Sequence, residues 1–496
     1  MGQAHAYAAI DLGAESGRVV KGILKDGRLH LEEINRFKNN LVPISGHDHW
    51  NLVGLYESMI EAFKICAQSE VPIESIGVDS WGVDFALLAE DESLMGLPVC
   101  YRDSRTDGMM EKMFEKMPKR TIYKKTGIQF MKFNTIYQLL SLSEDQKPYL
   151  PLVKDFLMIP DYFHFLFTGK KTNEYTNAST TQLLNLQTGT WDEDLLNALG
   201  VTKDMFKGLL QPGTVIGPIT QQLQDVTGLG PVPVVAPGTH DTASAVASVP
   251  AEIDGNWAYI SSGTWSLMGI EADRSVSSQK AYDYNFTNEG GVFGTIRFLK
   301  NIMGLWLVQR CRVAFNTEID YATLIQMAAD APAFVSLIEP DRDEFLNPVS
   351  MTDAIADFCK QTGQPVPESE GAYVRCCLES LAMQYRCVLK MLSDIYEKAF
   401  DTIHIVGGGT KNKLLNQFAA DATGATVITG PVEATVIGNI IIQAIGLGHI
   451  KDLAKGRQII RNSFDFETYT PQQTDQWHQQ YERFMKLKET YRRHSK

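Results

Sequence analysis

The chain has 496 residues, of which 44% are hydrophobic and 21% charged, and its formal net charge is −13. One hydrophobic core seldom supports a chain of this length, so two domains of roughly 250 residues each are expected. The acidic balance argues against nucleic-acid-binding and anionic-membrane proteins, because such surfaces bind through clustered lysine and arginine side chains.

The cysteines and the apolar segments indicate a reduced compartment. The seven cysteines are scattered, with no CxxC pair and no Cys/His spacing typical of zinc. The first residues contain neither a basic leader nor an apolar signal core. The most hydrophobic late segment, "VIGNIIIQAIGLG", is interrupted by Asn439 and Gln443 and is too short to span a bilayer. We therefore expect a cytoplasmic protein with no membrane partner.

Strand-like runs alternate with helical runs along the chain, which is typical of layered α/β domains with partly parallel sheets. The predicted strands are "AYAAIDL", "IESIGVDS", "PVPVVAPG", "WAYISSG", "TIHIVGGG" and "ATVITG". The first leads into "GAESGRVV", a glycine-centred polar turn followed by a second strand. Such turns can present backbone amides to an anion, although a plain structural hairpin would explain this one equally well.

The stretch "APGTHDTASAV" places His240 and Asp241 side by side among small residues. Taken alone, the pattern favours a helix cap, because aspartate oxygens accept the free amides of a first helical turn. The segment 245–256, with Pro250, Asp254 and Gly255, then predicts a boundary between domains 1–248 and 249–496.

The segment "WAYISSGTWSLMGIE" repeats the strand, turn and strand of the first hairpin half a chain later, which indicates that the two halves are diverged copies. Together the two turns predict a split phosphate clamp in a hinged cleft. Gly407, Gly408 and Gly409 then lie between a strand and a helix predicted to begin near Thr410, where a nucleotide can approach the backbone, although a tight helix entry would need no ligand. Neither a P-loop motif nor the protein-kinase motifs are present in the sequence.

Several stretches resemble one family over nearly the entire chain. They include "DLGAESGRVV", "DSWGVDFALL", "EYTNASTTQLL", "GTHDTASAV", "NIMGLWLVQ" and "VGGGTKNKLLNQF". The sequence is similar to the rhamnulokinases, a branch of the FGGY carbohydrate kinases in the actin and hexokinase-like superfamily. The resemblance implies two actin-like (ribonuclease H-like) α/β domains with an interdomain catalytic cleft. It also implies transfer of the γ-phosphoryl group of ATP, with Mg2+, to the 1-hydroxyl of L-rhamnulose in L-rhamnose catabolism.

The resemblance also implies roles for individual residues. Asp241 would be the general base, and the sugar would be bound by Gly82, His240, Asp241, Thr242 and Asn301. ATP would be bound by Ala14, Glu15, Ser16, Gly17, Arg18, Thr264, Gln309, Gly407, Gly408 and Gly409. Asp11 would anchor Mg2+ through water, since magnesium keeps much of its hydration. We expect the Glu15 side chain to face solvent, because a carboxylate beside phosphate would repel it.

The same sequence also fits other roles for some residues and other functions for the protein. Asp84 and Arg102 could position the substrate or could form an internal ion pair, and Trp81 is expected to pack in the core or line the pocket. The enzyme could phosphorylate another ketose, such as L-fuculose or D-xylulose. The same two-domain fold could also belong to a protein of a different functional class, namely a nucleotide-gated binding protein that transfers no phosphoryl group.

Overall fold

The computed structural model describes residues 3–145, 150–252, 255–315 and 318–492. Tertiary contacts divide the chain into two compact units. The first comprises Met1–Pro250, Glu271–Phe298 and Ala434–Phe464, and the second comprises Ala251–Ile270, Leu299–Glu433 and Asp465–Lys496. Each unit contains strands and helices, which confirms the expected pair of α/β domains. The division between residues 248 and 249 stays a prediction, and Asp254 of the predicted boundary segment lies outside the described residues.

The strands and helices follow one another along the chain as the alternation predicted. The strands are β1 (His5–Leu12), β2 (Ser16–Lys25), β3 (Arg28–Lys38), β4 (Leu41–Ile44), β5 (His47–Trp50), β6 (Ile73–Ser80), β7 (Phe85–Leu88), β8 (Asp155–Met158), β9 (Asn173–Glu174), β10 (Leu209–Leu210), β11 (Val215–Pro218), β12 (Pro233–Val235), β13 (Trp257–Ser262), β14 (Trp265–Ala272), β15 (Thr287–Gly290), β16 (Ile296–Met303), β17 (Thr402–Val406), β18 (Thr426–Thr429) and β19 (Glu467–Tyr469). The six strands predicted from the sequence correspond to β1, β6, β12, β13, β17 and β18.

Helices connect most of these strands. They are α1 (Leu52–Ala67), α2 (Met109–Lys116), α3 (Lys119–Thr126), α4 (Thr135–Glu144), α5 (Ile159–Thr168), α6 (Tyr175–Ala178), α7 (Glu193–Leu199), α8 (Gln221–Thr227), α9 (Asp241–Ala247), α10 (Gln279–Asp283), α11 (Trp306–Ala314), α12 (Tyr321–Asp330), α13 (Met351–Gln361), α14 (Glu370–Tyr396), α15 (Lys413–Thr423), α16 (Ala434–Gly446), α17 (Leu453–Ser463) and α18 (Thr474–Arg492). None of the helices in the described ranges is both long and apolar enough to cross a membrane.

The main sheet of the first unit has the strand order β11-β12-β6-β1-β2-β3. β1 pairs antiparallel with β2, and β1, β6 and β12 are parallel to one another. Residues 6–10 of β1 are all buried, as expected for a strand covered on both faces of a sheet. Phe63 of α1 and Phe167 of α5 pack edge to face in the core beside this sheet, with ring centroids 5.3 Å apart.

The sheet of the second unit repeats this arrangement. β13 pairs antiparallel with β14 and parallel with β17, β17 is parallel to β18, and β18 is antiparallel to β19. The order β14-β13-β17-β18-β19 therefore matches β2-β1-β6-β12-β11, including the direction of every pair. This correspondence supports the interpretation of the two halves as diverged copies.

Candidate active site

The first unit brings several of the predicted site residues to one edge of its sheet. Asp11 at the end of β1 is the register partner of Asp79 at the end of β6. Ser80 forms a parallel bridge with His240, and the Ser80 amide donates a 2.9 Å hydrogen bond to the Thr239 carbonyl. Loops at the carboxyl ends of parallel strands are where α/β folds place their ligands. The sugar and metal residues predicted in this unit thus lie at the same edge.

Asp241 is the first residue of α9, and His240 occupies the N-cap position without a side-chain cap bond. The Asp241 side chain is 32% exposed, and its Oδ1 accepts a 3.0 Å hydrogen bond from the Thr242 hydroxyl. The helix-cap interpretation is therefore not what the structure contains. Thr242, predicted to contact the sugar, donates to this carboxylate and orients it.

The surroundings of Asp241 make its carboxylate more basic. Burial raises the pKa of Asp241 above its ordinary value, and the negative charge of Asp11 raises it further. The neighbouring His240 and the hydrogen bonds from Thr242 oppose this shift. Because a base whose pKa lies nearer the working pH accepts a proton more readily, this environment suits general-base catalysis.

His240 is held by a buried ion pair. The Nη2 atom of Arg297 lies 3.0 Å from Nδ1 of His240 and 3.2 Å from a carboxylate oxygen of Glu289. Nδ1 also lies 3.3 Å from a carboxylate oxygen of Glu289, so the same nitrogen faces both a donor and an acceptor. The other ring nitrogen, Nε2, lies 3.5 Å from Oδ1 of Asp241. The imidazole of His240 therefore lies between the buried pair and the predicted catalytic carboxylate.

The backbone around this histidine is fixed by Glu174. Its buried carboxylate accepts hydrogen bonds from the Thr239 amide at 3.0 Å and from the Thr239 hydroxyl at 2.7 Å. The hydroxyl of Thr176 donates to the same carboxylate and accepts from the His240 amide at 3.2 Å. The loop that carries His240 and Asp241 is thus connected to α6 by a continuous polar network.

Gly82 lies beside a strained residue. Val83 has a φ angle of 68°, which is costly for a β-branched side chain. Its amide donates to Thr180 at 3.0 Å, and its carbonyl accepts from Thr135 at 2.6 Å. A Cβ atom at Gly82 would lie 3.1 Å from the Thr180 side chain. The surrounding hydrogen bonds hold the strained peptide in place.

The Asp84 carboxylate is hydrogen-bonded by two tryptophans, whereas the sequence suggested an ion pair with Arg102 as one alternative. Its Oδ2 accepts hydrogen bonds from the indole nitrogens of Trp50 at 2.6 Å and Trp81 at 3.0 Å. The Arg102 guanidinium lies over the ring of Tyr101, 5.2 Å from its centroid. Burial raises the pKa of Asp84 to about 6, against the effect of its hydrogen bonds. Trp81 is buried, as predicted, and it orients Asp84.

Hydrogen bonds fix the backbone of the turn between β1 and β2, which is the first turn predicted to bind phosphate. The Gly13 amide donates to the Ser16 carbonyl at 2.9 Å, and Asn39 bonds the carbonyls of Gly13 and Glu15. The amides of Ala14 and Glu15 donate to no group in the part of the chain that the structure describes. The Glu15 side chain is exposed, as expected. The turn therefore presents two unused donors, which an anion can accept.

Arg18 and Gly17 both have structural partners. Nε and Nη2 of Arg18 donate to Oδ2 of Asp11 at 2.9 Å and 2.7 Å. A Cβ atom at Gly17 would overlap the ring of Phe37, so any other residue there would have to displace that ring. Arg18, predicted to contact phosphate, thus also neutralises the carboxylate predicted to hold magnesium.

The second unit holds the remaining predicted nucleotide residues. Thr264 lies in the turn between β13 and β14, and its carbonyl accepts from the Trp306 amide at 3.2 Å. Gly304 allows this approach, because a Cβ atom there would overlap the turn. Gln309 of α11 has a buried Oε1 with no hydrogen-bond partner in the described residues. Asn301 is half-buried on β16.

The three consecutive glycines have different environments. Gly407 has a φ angle of 87°, and a Cβ atom at Gly409 would overlap the Ser262 side chain, so both need glycine for structural reasons. Gly408 is exposed, and a Cβ atom there would meet no other atom within 4 Å. Of the three, Gly408 is thus the position that packing does not explain.

The helix after these glycines begins later than predicted. Residues Gly408–Lys411 form a short 3-10 helix, and α15 begins at Lys413. Asn412 caps α15, because its side chain accepts from the Leu415 amide at 3.0 Å. The difference arises because a cap at Asn412 excludes Thr410 from the α-helix.

Four residues near His240 and Asp11 were not predicted from the sequence. They are Asp79, Glu289, Arg297 and Asn439. Asp79 ends an apolar strand and Asn439 interrupts an apolar helix, so each is a polar residue inside a hydrophobic run. A polar residue inside a hydrophobic run indicates a buried polar contact. The pattern does not indicate which two such residues contact each other.

Comparisons with known proteins agree with this architecture. The N-terminal domain of the FGGY family of carbohydrate kinases matches residues 6–248, and its C-terminal domain matches residues 258–447. A rhamnulokinase of Bacteroides thetaiotaomicron is 47% identical over 478 residues, covering 96% of this chain and 98% of that protein. A rhamnulokinase of Oceanobacillus iheyensis is 46% identical over 461 residues, covering 93% of this chain and 97% of that protein.

A solved structure confirms the fold. A gluconate kinase from Lactobacillus acidophilus superposes with a TM-score of 0.81, at 16% identity and with 98% of each chain covered. The expected two-domain carbohydrate kinase fold is thereby confirmed. Because both family domains match in order and together span most of the sequence, the chain belongs to the FGGY family of carbohydrate kinases.

Proposed function

We propose that this carbohydrate kinase transfers the γ-phosphoryl group of ATP to the 1-hydroxyl of L-rhamnulose, giving L-rhamnulose 1-phosphate and ADP. The identity of 47% to a rhamnulokinase over 96% of the chain supports this choice of sugar. The observation that carries the chemistry is the partly exposed Asp241 carboxylate, which is oriented by the Thr242 hydroxyl and lies 3.5 Å from Nε2 of His240. Membership of a carbohydrate kinase family favours this activity over a binding protein without phosphoryl transfer.

Asp241 is proposed as the general base. A sugar hydroxyl is a weak nucleophile, and a carboxylate within hydrogen-bond reach can orient it and take its proton. The hydroxyl oxygen forms the new bond to the γ-phosphorus, the bond between that phosphorus and the bridging oxygen breaks, and ADP leaves. The Thr242 hydroxyl, which donates to Asp241 at 3.0 Å, keeps one carboxylate oxygen in a fixed direction.

The remaining sugar contacts are proposed on both units. His240 would contact a sugar oxygen through Nε2, with its ring held at Nδ1 by Arg297 and Glu289. Gly82 would let the backbone approach the hydroxyls, and Asn301 can both donate to and accept from a polyol.

The nucleotide contacts are likewise proposed. The free amides of Ala14 and Glu15, with Ser16 and Gly17 in the same turn, would bind phosphate oxygens, and Arg18 would add positive charge. Thr264, Gln309 and Gly407–Gly409 would contact the nucleotide from the second unit. The buried, unpartnered Oε1 of Gln309 supports this assignment most directly.

FGGY kinases use ATP together with Mg2+, and the residues at the end of β1 fit that ion. Asp11 is partly buried beside another carboxylate, Asp79, and anionic oxygens are the ligands that magnesium prefers. When bound, magnesium offsets the charge of the phosphates. Asp11 would hold the ion through water, and Arg18 would keep the carboxylate oriented.

The cellular location is proposed to be the cytoplasm. All seven cysteines are free and buried, as expected for a protein of a reducing compartment. ATP is also supplied there.

A coupled ADP-release assay over a panel of ketoses tests the proposal. L-rhamnulose, L-fuculose and D-xylulose are each supplied with ATP and Mg2+, and 31P NMR locates the phosphate on the product. We expect L-rhamnulose to have the highest kcat/KM and its product to carry a 1-phosphate. An equal or higher kcat/KM for another ketose would overturn the rhamnulose assignment and identify the alternative substrate.

A further inference from the structure

Asp79 is a second carboxylate at the position predicted to hold magnesium. It lies at the end of β6 in register with Asp11 on the adjacent parallel strand, so the two side chains point to the same face of the sheet. The residue is fully buried. One oxygen, Oδ2, accepts a 2.6 Å hydrogen bond from Asn439, whereas Oδ1 is buried and receives no hydrogen bond from the described residues.

A chain of buried amides fixes the direction of the Asp79 carboxylate. The Asn439 amide nitrogen donates to Asp79 and also to the Gly77 carbonyl at 3.2 Å. Asn439 Oδ1 accepts from the Gln443 amide at 2.6 Å, and Gln443 Oε1 accepts from the Ser75 hydroxyl at 2.6 Å. In this series of hydrogen bonds each amide donor faces an acceptor and each amide oxygen faces a donor. A flip of the Asn439 amide would break these bonds, so its oxygen does not face Asp79. Oδ2 stays bonded to α16, and Oδ1 stays available.

Asp79 is a buried carboxyl group beside a second one. Asp11 is its register partner on the same face of the sheet, and Arg18 pairs with Asp11. An oxygen that is buried without a partner costs free energy, and a charged one costs more. A bound divalent cation would supply both the missing partner and the missing charge.

We infer that Asp79 acts with Asp11 in holding the hydrated Mg2+ that accompanies ATP, and that Asn439 is the positioning residue that aims it. The inference rests on the proposed kinase reaction. Magnesium favours coordination by one or two carboxylates while it keeps several water ligands.

Asp11, Asp79 and Asp241 do not form one compact cluster of ligand atoms. The oxygens of Asp11, Asp79 and Asp241 do not all lie within 4.8 Å of one another, and among the described residues the only three-residue group that meets this limit is His5, Glu74 and His449. His5 lies at the opposite end of β1 from Asp11.

Manganese binding tests the inference without turnover. Mn2+ replaces Mg2+, and electron paramagnetic resonance measures free Mn2+ during titration of the protein, alone and with ADP. We expect D79N to weaken Mn2+ binding by about tenfold or more, as loss of a metal-orienting group commonly does. D155N is the matched control, because Asp155 is a buried carboxylate of the same unit that is paired with Lys171 and Lys207. A loss of less than about threefold in D79N overturns the inference.

Thermal unfolding gives a second measurement and checks folding. In EDTA, D79N is expected to be at least as stable as the wild type, since it removes a buried charge next to Asp11. Added Mg2+ is then expected to raise the Tm of the wild type more than that of D79N, and an equal rise in both contradicts the inference. If D79N does not fold, N439A replaces it, with the same expected loss of Mn2+ affinity and the same overturning result. The assays contain no sugar, so a different preferred ketose would overturn the rhamnulose proposal alone.

Discussion

At the scale of single residues, the carboxylates of the candidate site differ in their hydrogen-bond partners and in their burial. Asp241 is oriented by one hydroxyl and faces one imidazole, and its raised pKa follows mainly from burial. Arg18 neutralises Asp11, whereas Asp79 has an oxygen without a donor. Neighbouring carboxylates thus have different partners, and the partners separate their proposed roles.

Replacement of Asp241 by asparagine tests the base directly. We expect D241N to lower kcat by about 10²–10⁴-fold, because an amide cannot take the hydroxyl proton. ATP affinity, measured by calorimetry, should change little. D225N serves as the control, since Asp225 bonds only Gln221 among the described residues on an exposed part of α8. Near-normal turnover in D241N would remove Asp241 from its proposed role.

The pH dependence of kcat/KM follows from the same group. The base works only when ionised, so activity is lost as pH falls through its pKa. Burial raises that pKa, and the acid limb should therefore lie above the ordinary aspartate value of 3.8. A profile of kcat/KM against pH in the wild type gives the measurement. An acid limb at or below the ordinary value would contradict the described environment.

Two adjacent glycines offer a matched comparison. In G409A the new methyl group would overlap Ser262, so we expect the free energy of unfolding to fall by about 1–3 kcal/mol. In G408A the methyl group meets no atom, so stability should be nearly unchanged. Urea unfolding distinguishes the two. If the nucleotide approaches Gly408 as proposed, G408A weakens ATP binding in calorimetry, and unchanged affinity would place the nucleotide elsewhere.

At the scale of elements, α16 and the loop before α9 organise the sheet edge. α16 contributes Asn439 to Asp79, and its Gly438 packs so closely on α9 that a Cβ atom would overlap Ser244. Glu174, from the short strand β9, ties the loop before α9 to α6. The loop that carries His240 and Asp241 is therefore positioned by elements that are distant in sequence.

Replacement of Glu174 by glutamine tests that connection. Its oxygens accept from the amides and hydroxyls of Thr176 and Thr239. A glutamine amide would place a donor against one of these donors, at an expected cost of about 1–3 kcal/mol in the free energy of unfolding. The sugar KM should rise as His240 shifts. E193Q is the control, because Glu193 is exposed on α7. Equal stability of the two variants would rule out the proposed role of Glu174.

At the scale of the whole molecule, all seven thiols are free and buried. Burial raises the pKa of Cys66 to about 11 and of Cys100 to about 12, which suppresses the reactive thiolate. We expect Ellman's reagent to react slowly with the native protein and to titrate seven thiols after unfolding in guanidinium chloride. Rapid native reaction, or fewer thiols after unfolding without reductant, would contradict this description.

Much of the fold could be predicted because its signals are local. The six predicted strands, the glycine turns and the repeated hairpin are each encoded within about ten residues, by apolar runs that end at glycine or polar residues. The general-base assignment of Asp241 came from resemblance, since the residues alone favoured a helix cap. The late start of α15 was missed because the cap at Asn412 depends on one side-chain bond.

The amino-acid sequence by itself determined the two α/β units, their internal repeat and the family motifs, because strand periodicity and turn chemistry act over short stretches of chain. Only the tertiary structure decided that residues 434–464 join the first unit and that Asn439 meets Asp79 across 360 positions. It likewise decided that Arg297 orients His240. Such contacts depend on which buried donor and acceptor come together when the core packs, and no local pattern specifies that choice.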